Sequence, residues 1–126
     1  MTILPELKYT REHEWVKVNG ETATIGITDY AQGELGDIVF VELPKIGDHI
    51  EQSKSCGSIE AVKAVSDLFA PVSGEVVELN AELSSSPQTV NKDPYGDGWM
   101  LRIKLNDPVE LEKLLTAEEY EQMISE

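Results

Sequence analysis

Cysteine is almost missing from this chain of 126 residues: Cys56 stands alone, so no disulfide can close within it and no zinc site can be built from several cysteines. That scarcity fits a reducing compartment. Histidine is nearly as rare, with only His13 and His49 to serve as a base for nucleophilic chemistry. Cations are few as well: 10 Lys and Arg stand against 24 Asp and Glu, a net charge of −14 spread along the whole chain. A surface of that sign repels nucleic acid and anionic membranes, so neither is expected as a partner. No apolar run approaches the roughly 18 residues of a membrane helix. Met1 to Thr10 lacks the basic start and hydrophobic stretch of a secretory signal. The expectation is a soluble cytoplasmic protein, or one of the mitochondrial matrix if a transit segment has been removed.

Self-sufficient catalytic motifs are missing too. There is no glycine-rich phosphate loop, no H-E-x-x-H zinc pair and no G-x-S-x-G nucleophile elbow. Asn91, Asp93 and Gly96 approach the spacing of a calcium loop, but Tyr95 fills the fifth place and Arg102 the twelfth, where a bidentate glutamate is required. Cys56, between Ser55 and Gly57, suits a small packed side chain, and the two histidines suit structural places.

What is present is strand signal. The length and a 40% apolar content suit one domain over residues 1–126 with a core that needs no staples. Val16-Lys17-Val18, Asn19-Gly20 and Thr22 to Ile27 spell an antiparallel hairpin. Thr28 caps a short helix that runs to Leu35, and Asp37 to Leu43 reads as a buried strand stopped by Pro44. Short strands cut by turns occupy Ile50 to Leu79, polar Asn80 to Asp97 is expected to be mostly loop, and Trp99 to Leu105 alternates as an amphipathic strand. Asp107-Pro108-Val109-Glu110 and Thr116-Ala117-Glu118-Glu119 carry capping spacings that predict two short closing helices. The fold class is mainly β (α+β), a sandwich or small barrel with short helices that include the C-terminus.

One segment breaks a local rule. A hairpin is needed between the strand ending near Val62 and the one starting near Val65, yet Glu60-Ala61-Val62-Lys63-Ala64-Val65 offers no Gly, Asn, Asp or Pro for its tip. Places where turn chemistry fails are candidate functional sites. Lys63 is the only cation between Lys54 and Lys92, and an amine raised on a tip is well placed for acylation. The residues alone favour a continuous strand with a lysine reaching to solvent.

Glu60 to Ala64, followed by Ser66-Asp67, Ala70-Pro71-Val72-Ser73-Gly74-Glu75-Val76 and Asn80, resembles the lipoylation segment of the glycine cleavage system H proteins. His13 to Val16, Ala23 to Thr28, Leu35 to Pro44 and Asn91 to Met100 resemble further strings of that family, in the same order over most of the chain. The resemblance implies a barrel-sandwich hybrid of the lipoyl and biotinyl kind, with lipoate held covalently on Lys63. It implies a carrier and not an enzyme: a shuttle that takes the aminomethyl group of glycine from the P protein (glycine decarboxylase) to the T protein (aminomethyltransferase), its arm reoxidised by the L protein. Glu60, three before the lysine, and Gly74, eleven after it, match the positions read by a lipoate ligase or lipoyl/octanoyl transferase. Glu14 and Asp67 match the cleft in which the cationic loaded arm rests. Glu12 departs from the small polar residue of some relatives. In the residues themselves Glu60 also suits an exposed strand carboxylate, and Ser73-Gly74 suits a turn where positive φ is cheap.

Three other readings compete. A biotinyl module would carry Met on both sides of the lysine, where Val62 and Ala64 stand, and an acyltransferase lipoyl module would more often show Asp before it. A relay that donates lipoyl or octanoyl groups to other enzymes would use the same lysine. An unmodified adaptor would tolerate Lys63→Arg without consequence.

Overall fold

A computed structural model describes residues 2–125. The chain runs β1 (Lys8–Tyr9), β2 (Glu14–Asn19), β3 (Thr22–Ile27), α1 (Asp29–Leu35), β4 (Ile38–Glu42), β5 (His49–Ile50), β6 (Ser55–Ala61), β7 (Val65–Phe69), β8 (Gly74–Leu79), α2 (Glu82–Ser85), α3 (Thr89–Lys92) and β9 (Leu101–Leu105). A 3-10 helix, Pro108–Lys113, and α4 (Ala117–Ile124) follow. No helix among the described residues is long and apolar enough to cross a membrane.

The strands form two antiparallel sheets, one of six in the order β1-β2-β3-β9-β8-β5 and one of three in the order β4-β6-β7. Alternation along β3 and β9 turns Ala23, Ile25, Leu101 and Ile103 inward, where they meet Ile59 and Leu68 of the smaller sheet in one buried cluster. A second cluster gathers Leu7, Tyr9, Trp15 and Tyr120, with the rings of Tyr9 and Tyr120 stacked at 4.6 Å. The closing helix is therefore pinned to the first two strands. Its start is legible in the sequence, because the Thr116 side chain accepts from Glu119 N–H and the Glu119 side chain accepts from Thr116 N–H.

Three local expectations need correction. The first hairpin turns on Gly20 and Glu21, since Asn19 pairs with Thr22. The first of the two closing helices is a 3-10 helix. Asn80 to Asp97 is mostly loop, as expected, but α2 and α3 each add one helical turn, because Leu83 and Val90 plug the core from that side. The Asn80 side chain ties the segment's ends, donating to the carbonyls of Asp97 and Trp99 at 2.8 and 2.7 Å. The strand within Asp37 to Leu43 is not buried: β4 is the edge of the small sheet, and Val39 and Phe40 are exposed at 48% and 53%. An apolar β-branched run has the same composition whether or not anything covers its second face.

Candidate functional site

The β6–β7 hairpin closes on Val62 and Lys63. Glu60 pairs with Val65, and Ala61 N–H donates to the Ala64 carbonyl at 2.7 Å. Glycine is dispensable at this tip because neither residue takes a positive φ; among non-glycine described residues only His13 and Ser53 do. What holds the tip is tertiary: Val62 N–H donates to the Asp37 carbonyl at 2.9 Å, in the elbow between α1 and β4.

That elbow is itself bracketed. The Asn91 carboxamide donates to the Gly36 carbonyl at 2.8 Å and accepts from Ile38 N–H at 2.9 Å, straddling Asp37. Gly36 caps α1 at φ +83°, a conformation that disfavours any side chain. Its bare backbone also makes room for the lysine, since a Cβ there would sit 3.2 Å from Lys63 Cε. The stem of Lys63 thus rests on the helix end, where the carbonyl pole of α1 favours a cation. Sequence reasoning missed Gly36 and Asn91 as supports. The signal was present only as two strings, Leu35-Gly36-Asp37 and Asn91-Lys92-Asp93, whose meeting in space no spacing rule reveals.

Lys63 is exposed and takes part in neither ion pair found among the described residues, Lys54–Glu51 and Arg102–Glu78. Glu60 is exposed on β6, between Phe40 of β4 and Val65 of β7. Asp67 is exposed on β7 opposite Ser58, beside a shallow depression that Cys56 also lines.

Glu14 lies elsewhere and is only 2% exposed. It borders a cavity of about 370 Å³ with Thr10, Glu12, Gln52, Phe69 and Leu115, whereas Asp67 lines the depression beside Cys56. Its carboxyl accepts from Thr10 Oγ1 at 2.5 Å and from Phe69 N–H at 3.2 Å. Burial outweighs these two bonds and pushes its pKa up to about 7. The Cys56 thiol is raised to about 11, first by burial and then by the nearby Glu14, so it is a poor nucleophile at neutral pH. His13 is also held down by burial, and its Nδ1 lies 2.8 Å from Tyr120 Oη in a structural contact.

Gly74 falls in the other sheet, between Ile50 of β5 and Leu105 of β9. It opens strand β8 instead of forming a positive-φ turn, which corrects the reason given for it from sequence. A Cβ there would collide with the Lys104 carbonyl oxygen and crowd Ile103 Cδ1. Glycine is required by the close approach of β8 to β9.

Two facing sheets that raise one exposed lysine on a hairpin tip define a barrel-sandwich hybrid of the lipoyl and biotinyl kind. The comparisons specify which branch. The glycine cleavage H-protein family model matches residues 7–126. The glycine cleavage system H protein of Staphylococcus carnosus is 62% identical over 126 residues, all of both chains. That of Carboxydothermus hydrogenoformans is 56% identical over 127 residues, covering all of this chain and 98% of its own. A crystal structure of the H protein from Mycobacterium marinum superposes with a TM-score of 0.91 at 38% identity, over 98% of this chain and 100% of that one. The chain belongs to the glycine cleavage H-protein family, and with it to the glycine cleavage system.

Proposed function

We propose that this chain is the lipoylated shuttle of the glycine cleavage system, carrying the aminomethyl group of glycine from the P protein to the T protein, with the L protein reoxidising the arm. It works on this reading as a covalent carrier and not as a catalyst. The bacterial origin of the relatives supports a cytoplasmic setting. The observation that carries the reading is Lys63, exposed at a tip held by backbone bonds to its own hairpin and to the Asp37 elbow.

The residues fit a lipoyl group. Acylating Lys63 Nζ breaks no ion pair found in the fold and leaves the Ala61, Val62 and Asp37 backbone contacts untouched. Lipoate supplies a reversible dithiol–disulfide couple at the end of a long tether, which raises its effective concentration at each partner's active site. Glu60, exposed on the same hairpin, offers a carboxylate for a lipoate ligase or lipoyl/octanoyl transferase to read. Gly74 serves that recognition indirectly, by keeping β8 and β9 in register. Glu14 and Asp67 are the carboxylates assigned to the cationic cargo. A cation arriving beside Glu14 favours its ionised form and draws its pKa back down.

Intact mass with peptide mapping tests the reading, on protein from a lipoate-competent cell beside Lys63→Arg. A lipoyl-sized increment on the Lys63 peptide, missing from the variant, is expected. An unmodified wild-type peptide in a cell whose other lipoyl proteins are loaded would overturn it.

A further inference from the structure

Four of the eight exposed large hydrophobic residues among those described, Val39, Phe40, Val62 and Val65, sit on β4 or the β6–β7 hairpin. Single exposed apolar side chains are ordinary on a protein surface, whereas a cluster on one face marks an interaction site. Register makes this one a cluster. Phe40, Glu60 and Val65 stand side by side across the three strands, and Glu42, Ser58 and Asp67 form the next row on the same outer face. Phe40 is 53% exposed and Val65 70%, while the opposite face of the sheet sends Ile59 and Leu68 into the core.

The three strands carry three carboxylates and no lysine or arginine, and the one cation beside them, Lys45, lines the depression next to Glu42 and Asp67. Lys54, just before β6, is paired with Glu51, and Lys63 at the tip loses its charge on acylation. A second copy of this chain, at −14, would bring like charges together over the patch and makes a poor occupant. We propose that the outer face of β4–β6–β7 is the docking footprint for the P protein, which meets it with an apolar contact rimmed by lysine and arginine. The proposal deepens the carrier reading and rests on it. It gives the hairpin a second role, in which the strands that raise the lysine also orient the enzyme that receives its arm. Apolar contacts at the centre set the residence time, and the acidic border sets the approach rate and its salt dependence.

Purified P protein is the probe, titrated with fully lipoylated chain whose loading is verified by intact mass. Phe40→Ser and Val65→Ser together should raise the KM for the carrier about tenfold with kcat unchanged. Glu42→Gln should instead flatten the dependence of kcat/KM on salt. Val77→Ser and Val109→Ser, at exposed apolar positions away from this face, should behave as wild type. If the loaded Phe40/Val65 variant titrates like wild type, the footprint is overturned while the carrier reading stands. If the loaded wild type itself fails to turn over with P protein, the reading falls and takes the footprint with it. Retained thermal unfolding of the double variant separates lost docking from lost fold.

Discussion

Lys63 and Glu14 show how little of a residue's chemistry its type fixes. One is a lysine left at a tip, in neither of the fold's described ion pairs, and the other a carboxyl sealed at 2% exposure. For Glu14 the consequence is a pH-dependent load on stability. Its folded pKa lies near 7 against an ordinary 4.5, so the folded chain keeps this proton over a range where the unfolded chain has lost it. Stability therefore falls as pH rises through that window, is unaffected by this group below it, and carries the full cost above it. Glu14→Gln removes the load, because an amide can donate to Thr10 Oγ1 and accept from Phe69 N–H without charging. The variant should be more stable than wild type by on the order of 1–3 kcal/mol at pH 8, with the difference closing towards pH 4. Urea unfolding across that range checks it, and a gap that is constant with pH would refute the assignment.

Among the elements, the hairpin and the α1–β4 elbow work as one piece. The tip lacks turn residues because its geometry is imposed from outside, by Val62 N–H on the Asp37 carbonyl and by Asn91 on either side of Asp37. Asn91→Ala leaves Gly36 C=O and Ile38 N–H without these partners, which should cost roughly 1–3 kcal/mol in a half-buried setting. Hydrogen exchange locates the effect: the Val62 amide should exchange faster, while the amides joining β2 to β3 stay protected. Unchanged Val62 protection would mean that the elbow holds its shape without the bracket. The odd residues from Glu60 to Val65 marked the place, but alone they favoured a continuous strand, and the hairpin was legible only through the family resemblance. The bracket was not, because Asn91 and Asp37 lie 54 positions apart in sequence, and side-chain to backbone bonds at that separation follow no period.

For the whole molecule, charge is the dominant background. A chain at −14 with two ion pairs among its described residues repels itself. Raising sodium chloride from 0.02 to 0.5 M shortens the screening length severalfold and should relieve about 1 kcal/mol, or roughly 3–5 °C in Tm. Calorimetry or a melting scan at fixed pH reads this directly. A Tm that stays flat or falls would show that the carboxylates are spaced widely enough not to burden the fold.

The sequence by itself determined the mainly β class, the helix caps at Thr28 and Thr116, and the position of the unusual lysine, since these follow from local periodicity, local hydrogen bonding and composition. Tertiary structure alone decided the rest. It left β4 uncovered on its outer side, drew Asn80 to Asp97 into two helical turns against the core, and buried Glu14 until burial outweighed its hydrogen bonds. It also made Gly74 a matter of strand contact instead of turn geometry. Each of these depends on which distant surface meets the residue, and burial and close approach belong to the assembled chain, not to any window along it.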